Sequence, residues 1–284
     1  MKALSALALG TACSISLSFV ATVQPAAAFT IGYFTDFNEL TTAPAAPINQ
    51  AGFTPVQITD ISTFDLNTID SLLVNESNNS GLSPALSGRL GDIESWVRGG
   101  GSFIVHDRFV TNDFNDPQPN PFLIGAAGTL VDRDFTDDDD LDLIPMSNTL
   151  VTNGGGPGGA IDNLTLDRGT SSSHGFALAG TLPLGATGIL SAGPDPNKVA
   201  AFSYGLDSGF VYYSTIPLDY YLEGSGTNPP RDQFNMLYAP NVVAYVQSLQ
   251  EPTPVPEPAS VLGVLTVGAL GAGSVRKRKQ KQTA

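Results

Sequence analysis

The sequence predicts an α/β domain over residues 29–250, a mostly parallel sheet with helices on both of its faces. Short apolar runs alternate with helical segments in the first half of the domain, and one of those segments has the marks of an amphipathic helix. Strands separated by helices along the chain typically pair in parallel and are covered by those helices. The second half is richer in strands.

Four apolar runs are the predicted strands of the first half. They span residues 30–34, 55–59, 71–75 and 102–105, and we expect them to be neighbouring parallel strands of one sheet. A short helix over 47–52, which ends on a glycine, should connect the first two.

Residues 84–98 form the clearest predicted helix. Ser83 suits the N-cap, Pro84 the first helical position, and Gly99 lies just past the end. Apolar residues recur at helical spacing, so one face should pack across the sheet. Those residues are Leu86, Leu90, Ile93 and Val97.

The second half begins with an irregular stretch, 111–168, which we expect to form long loops over the carboxyl edge of the sheet. Three strands follow, at 188–192, 199–204 and 210–216. A last helix should cover 239–249. Pro240 suits its first turn, so the helix should not continue straight back through Phe234.

Charge and cysteine content exclude several classes of function. Residues 29–250 hold 25 of the 27 acidic residues but only 7 of the 13 basic ones, a net charge near −18. Such a field repels nucleic acid and attracts cations or basic partners. The single cysteine, Cys13, lies outside this domain, so the domain itself has no thiolate nucleophile and no internal disulfide.

The N-terminal 28 residues are typical of a secretory signal peptide. Lys2 precedes an apolar stretch of small residues, and Ala26-Ala27-Ala28 offers a cleavage site for signal peptidase before Phe29. A retained membrane anchor is the alternative interpretation. We expect an exported protein that begins at Phe29.

Residues 251–284 have a three-part organisation. A proline-rich spacer leads to an apolar segment at 261–275 and then to a basic cluster at 276–281. A helix of about 15 residues covers roughly 22 Å, less than the ~30 Å hydrocarbon core. The basic end should stay cytoplasmic, which leaves the main domain outside. A simple short anchor is one interpretation.

This tail also resembles the PEP-CTERM sorting signal, through Pro256-Glu257-Pro258 followed by the short apolar helix and the basic cluster. The resemblance implies recognition by an exosortase in the cell envelope, a transmembrane helix in the inner membrane before processing, and removal of the tail.

The body resembles the class I glutamine-amidotransferase-like fold, which is flavodoxin-like, including its trehalose-utilisation branch. The matching features are residues 99–105, the stretch 205–213 and a closing helix around Asn241. The family places a cysteine nucleophile after the fourth strand, where this chain has His106-Asp107-Arg108. Its His-x-Glu is replaced by residues 216–219. The resemblance therefore implies the fold without amidotransferase catalysis.

Polar residues follow the predicted parallel strands. Ligands in open parallel sheets lie outside the carboxyl ends of the strands, near the point where strand order reverses. Carboxylates with a histidine there could do acid–base work, or bind a sugar or a metal. An ordinary ion pair and a histidine packed under a loop are the alternative. The candidates are Asp36, Glu76, His106 and Asp107, with Arg108 beside them.

A run of seven aspartates in eleven residues, 132–142, is the candidate metal site. Carboxylates this dense repel one another unless they are solvated or neutralised by a hard cation such as calcium, which takes six to eight oxygens. The spacing does not fit an EF-hand. A solvated acidic loop is the alternative. The candidate ligands are Asp132, Asp134, Asp137, Asp138 and Asp140.

The function we expect from the sequence is that of an exported, envelope-sorted protein that binds a cation, a glycan or another envelope protein without catalysis. The alternative is an extracytoplasmic hydrolase that acts through the strand-end carboxylates and histidine. Ser171–His174 also places hydroxyls beside a histidine, although a polar loop explains that segment equally well.

Overall fold

A computed structural model of the chain describes residues 29–250, except 112, 137, 138, 146, 170 and 225–228. The predicted signal peptide and sorting tail lie outside the described residues. Within those residues, no helix combines the length and the apolar composition needed to cross a membrane.

Eleven strands form one mixed sheet in the described part of the chain. Nine lie side by side in the order β2-β1-β3-β4-β11-β10-β8-β6-β5, while β9 pairs with β10 and β7 with β9. The strands are β1 Thr30–Asp36, β2 Thr54–Gln57, β3 Ser71–Glu76, β4 Ser102–His106, β5 Gln118–Pro119, β6 Leu130–Asp132, β7 Leu141–Leu143, β8 Phe176–Leu178, β9 Thr187–Ala192, β10 Lys198–Leu206 and β11 Gly209–Ser214.

The four strands predicted for the first half are neighbours and parallel, as expected. β1 lies between β2 and β3, and β4 pairs with the far side of β3. β11 then joins β4 in parallel, with Ser214 opposite His106. The sequence thus located the parallel half of the sheet correctly.

The expectation of a mostly parallel sheet is wrong for the other half. β10 and β11 are joined by only two residues, Asp207 and Ser208, and Asp207 has a φ of 52°. A connection this short can only form an antiparallel hairpin. β10 therefore runs antiparallel to β11, and the pairs beyond β10 are antiparallel as well.

The stretch 111–168 also contains more secondary structure than predicted. It contains β5, β6 and β7, which extend the antiparallel half of the sheet. These strands have only two or three residues each. Segments this short show no period-2 alternation, which explains why the sequence predicted loops there.

Five α-helices lie in the described residues: α1 Ala45–Gln50, α2 Pro84–Arg98, α3 Leu218–Leu222, α4 Pro230–Gln233 and α5 Ala239–Gln250. The α2 helix begins as predicted, with the Ser83 hydroxyl accepting a hydrogen bond from the Leu86 amide at 3.2 Å. Its buried residues include Ile93 and Val97, but Leu90 is only half-buried.

The chain enters α5 through a π-helical turn, Phe234–Tyr238, that follows α4 directly. The prediction that α5 would not continue as a straight rod through Phe234 agrees with this turn. Pro240 has no amide hydrogen to donate, and a wider turn before it accommodates the missing bond. The turn aims the Tyr238 side chain into the core, where it is fully buried.

The sheet is covered on both faces by apolar side chains. One cluster joins α1 and α5 to β1 residues such as Ile31 and Tyr33. The other joins α2 to Phe34 and to Phe103 on β4. Successive residues of each strand point to opposite faces, so the same central strands supply both clusters.

Candidate functional site

The carboxyl ends of the central parallel strands carry the polar side chains that the sequence placed there. Asp36 ends β1 opposite Glu76 at the end of β3, while His106 ends β4 and is followed by Asp107. The strand order reverses between β1 and β3, which is where open α/β sheets bind ligands. However, none of the four side chains is more than 1% exposed. They form a buried layer and not an open pocket.

Asp36 anchors the entry to α2. Its Oδ2 accepts a hydrogen bond from the Ser83 amide at 2.8 Å, which ties the end of β1 to the N-cap of the helix. Burial raises the pKa of the Asp36 carboxyl, and hydrogen bonds from Ser83 partly oppose that rise. Oδ1 has no hydrogen-bond partner among the described residues.

Glu76 is the most strongly perturbed carboxyl of this layer. Burial, with the nearby charges of Asp107, Asp219 and Asp36, raises the pKa of Glu76 to about 9. The side chain is therefore a neutral carboxylic acid at pH 7. Oε1 accepts a hydrogen bond from the Asn78 amide, and Oε2 has no partner within the described residues.

Asp107 holds the loop after β4. Its Oδ1 accepts a hydrogen bond from the Val110 amide at 2.9 Å, and its Oδ2 accepts from Tyr213 Oη at 2.8 Å and Asn120 Nδ2 at 2.6 Å. Val110 has a φ of 61°, a costly conformation for a β-branched residue, which persists only where its surroundings hold it. Asp107 thus stabilises a strained loop, and its oxygens are already occupied.

His106 stands where the amidotransferase resemblance would place the cysteine nucleophile. Its Nε2 lies 3.3 Å from Tyr238 Oη, and that hydroxyl in turn lies 3.0 Å from Tyr212 Oη and donates to Ser214 Oγ at 3.2 Å. Burial lowers the pKa of His106 to about 3, so the imidazole is neutral. It belongs to a buried network with two tyrosines.

Asp219 is a site residue that the sequence argument missed. It lies in the first turn of α3, directly after β11, and β11 pairs with β4. Its Oδ2 accepts a hydrogen bond from Arg108 Nη1 at 2.9 Å. Burial raises the pKa of Asp219 to about 6 although the charge of Arg108 opposes that rise. The sequence could have pointed to Asp219, because it follows a predicted strand. Its nearness to the other site residues became clear only from the pairing of β11 with β4.

A small cavity of about 150 Å³ opens beside this ion pair. His174 lies in its wall, and its Nδ1 is 2.7 Å from the Arg108 carbonyl oxygen. The neighbouring serine hydroxyls do not reach the histidine: Ser171 donates to the Ser173 carbonyl and Ser172 to the Leu166 carbonyl. The cavity is lined by Arg108, Ser171, His174, Pro217 and Tyr220.

Aromatic side chains surround a second arginine next to this cavity. The guanidinium of Arg133 lies 5.3 Å from the ring centre of Phe114 and 5.5 Å from that of Phe135. Phe135 also packs edge-on against His174, with ring centres 5.1 Å apart. Phe114 is 54% exposed and Phe135 37%. These two rings therefore form an aromatic rim that adjoins the cavity wall.

The described aspartates of the run 132–142 do not converge on a common position for a metal ion. Asp132 ends β6, and Asp134 Oδ2 pairs with Lys198 Nζ at 3.2 Å. Asp137 and Asp138 lie outside the described residues. Among the residues that the structure describes, no three His, Cys, Asp or Glu side chains are placed to hold one metal ion. The calcium site stays a prediction.

Comparisons with known proteins give structural likenesses only. No family model matches the chain, and no curated protein matches it. A β-galactosidase from Rahnella sp. R3 is 14% identical with a TM-score of 0.42, and the match covers 81% of this chain and 33% of that one. This chain thus spans about a third of that enzyme's length.

Two shorter proteins match over most of their length. A cytoplasmic protein from Salmonella typhimurium is 11% identical with a TM-score of 0.44, over 76% of this chain and 98% of that chain. A putative ThuA-like protein from Bacteroides uniformis is 13% identical with a TM-score of 0.38, over 77% of this chain and 93% of that one.

Proposed function

We propose that this chain is an exported, envelope-sorted binding or matrix protein with a flavodoxin-like, amidotransferase-like body that performs no amidotransferase chemistry. The observation that carries the proposal is His106. It stands where the resemblance to the amidotransferases would place a cysteine, is 1% exposed, and has its Nε2 beside the Tyr238 hydroxyl. An imidazole that is buried and has its pKa lowered to about 3 is a weak base and does not reach a substrate or a water at the surface.

The environment of the other candidates supports the same proposal. A catalytic carboxyl must reach the substrate within hydrogen-bond distance. Asp36 and Glu76 are fully buried, and the oxygens of Asp107 are occupied by the loop they hold. Their raised pKa values follow from burial in a structural layer.

An extracytoplasmic hydrolase is the second candidate, and one observation favours it. Glu76 keeps a proton at neutral pH, as general acids in hydrolases do. A shift of the loops that opened this layer to solvent would expose that acid. The two proposals differ in a measurable property, which is turnover.

The test uses purified protein with chromogenic glycosides, esters and amides. We expect no turnover above that of heat-treated protein. Turnover that is lost in Glu76→Gln, with the circular dichroism spectrum unchanged, would establish the hydrolase instead. As a binding protein, it should co-sediment saturably with isolated cell envelopes. A protein that neither turns over substrate nor co-sediments would contradict both proposals.

The proposed location rests on the two ends of the chain. Signal peptidase should leave Phe29 as the first residue, and an exosortase should act at Pro256-Glu257-Pro258. Mass spectrometry of the exported protein checks the first. Deletion of 255–284 checks the second, since the truncated protein should become freely soluble outside the cell. Unchanged retention would show that the tail is not the sorting signal.

A further inference from the structure

We infer that the cavity between Arg108, His174 and Tyr220 binds a single neutral sugar ring, either a free monosaccharide or the end of a glycan. This inference rests on the proposed binding function and names the ligand class. The size of the cavity is the first argument. At about 150 Å³ the cavity is smaller than the ~300–1,000 Å³ of most small-molecule sites, so it takes one small ring.

The hydrogen-bonding character of the wall is the second argument. His174 Nδ1 faces a backbone carbonyl, which only accepts, so Nδ1 carries the proton. Burial lowers the pKa of His174 to about 4, which keeps the ring neutral and leaves Nε2 as an acceptor. The Ser171 hydroxyl donates its hydrogen bond to the Ser173 carbonyl, so its oxygen is left as an acceptor. The cavity therefore offers acceptors from His174 and Ser171 beside the donor groups of Arg108. Hydroxyl groups both donate and accept, so they match this wall.

The charge balance is the third argument, and it disfavours ions. The positive charge of Arg108 is already paired with Asp219 at 2.9 Å, and Arg133 Nη1 donates to three backbone carbonyls while aromatic rings cover its guanidinium. The domain also has a net charge near −18, so an anion gains little here. A cation would be repelled by the positive charges of Arg108 and Arg133, which also help to lower the pKa of His174. The preferred ligand is neutral.

The apolar surfaces are the fourth argument. Pro217 and Tyr220 line the cavity, while the exposed rings of Phe114 and Phe135 lie at its margin. A sugar ring has hydroxyls at its edge and C–H groups on its faces, and those faces pack on aromatic rings. A glycan that placed its terminal ring in the cavity would meet the aromatic rim with its next ring.

The experiment is a calorimetric titration of the purified full-length protein in detergent. Titrants are glucose, galactose and mannose, each taken to about 50 mM so that binding as weak as a Kd of ~1 mM is still measured. Glucuronate and glucosamine test the charge argument. Maltotetraose, mannotetraose and galactotetraose separate a glycan end from a free monosaccharide. At least one neutral ring, free or terminal, should bind, and its charged analogues should bind about tenfold more weakly.

Two variants test the site. His174→Asn keeps a donor for the Arg108 carbonyl but has no acceptor atom at the position of Nε2. Phe135→Leu keeps an apolar side chain but removes the aromatic face. Each should weaken binding about tenfold, the effect of losing one such contact. Leu184→Ala removes an exposed apolar side chain elsewhere and should change nothing.

The outcomes separate the inference from the proposed function. If no neutral sugar binds, or if both variants bind as the wild type does, the inference is wrong. Saturable binding to cell envelopes would still support the proposed function in that case. If neither sugars nor envelopes bind, both are wrong.

Discussion

Arg108 Nη1 donates a hydrogen bond to Asp219 Oδ2 over 2.9 Å, which ties the loop after β4 to the first turn of α3. Asp219 is 3% exposed and Arg108 23%, so the pair separates the buried carboxyl layer from the open cavity. Below it, Glu76 and His106 are held in their uncharged forms by burial. The pH dependence of stability should therefore report on this layer.

Loss of the Glu76 proton should lower the free energy of unfolding as pH rises from 7 to 9. Its folded pKa, about 9, exceeds the ordinary value of 4.5, so the folded state binds the extra proton in this window. Stability that depends on the proton is lost as pH rises toward the folded pKa. The loss from pH 7 to 9 should be about 2 kcal/mol.

The check is urea unfolding of wild type and Glu76→Gln at pH 7, 8 and 9. The variant should lose that pH dependence because glutamine does not titrate. Asp92→Asn, at an exposed carboxyl on α2, is the matched control and should behave as the wild type. An unchanged slope in Glu76→Gln would show that Glu76 is ionised in the folded protein.

His106 should have the opposite effect at acid pH. Its folded pKa, about 3, lies below the ordinary 6.5, so the unfolded chain binds the extra proton between these values. Stability therefore falls as pH drops below 6.5, by up to about 2 kcal/mol at pH 5. His106→Gln, which keeps a polar group near Tyr238, should lose less stability between pH 6.5 and 5 than wild type. Equal losses, measured by urea unfolding, would mean that His106 is solvated.

The α2 helix should tolerate a charge at Leu90 better than at Ile93. Both lie on the predicted apolar face, but Ile93 is fully buried and Leu90 is half-buried. Ile93→Asp places an unpaired carboxylate in the core and should cost several kcal/mol, roughly a large fraction of total stability. Leu90→Asp should cost about half as much or less, because its carboxylate can reach solvent. Equal falls in Tm would contradict this ordering.

Calcium should stabilise the protein if the aspartate run 132–142 binds it. Binding to the folded state alone raises stability by about 2.7 kcal/mol when the ligand is at 100 times its Kd. Magnesium should do less, because it prefers a tight octahedral site and holds its water. Thermal melts in calcium, magnesium and sodium at equal ionic strength check this.

The matched variant changes the four aspartates of 137–140 to asparagine and should lose the calcium effect. Sodium that stabilises as well as calcium would indicate general screening of a solvated loop. A calcium effect that survives in the asparagine variant would place the ion elsewhere.

The sequence predicted the parallel half of the fold because local patterns specify it. Apolar runs, the Ser83 cap and the helical spacing of Ile93 and Val97 are encoded within about fifteen residues. It did not predict the short strands β5 to β7, whose pairing depends on distant partners. Nor did it predict the antiparallel hairpin at Asp207, which a two-residue connection imposes.

For the site, the sequence determined which residues stand at the strand ends, because each follows an apolar run directly. It placed Asp36, Glu76, His106 and Asp107 at the ends of β1, β3 and β4, where the structure also has them. Only the tertiary structure decided that these side chains are buried, that Tyr238 reaches His106 from a π-helical turn, and that Asp219 pairs with Arg108. The physical reason is range: strand periodicity is local, whereas burial, hydrogen-bond partners and pKa depend on residues more than a hundred positions away.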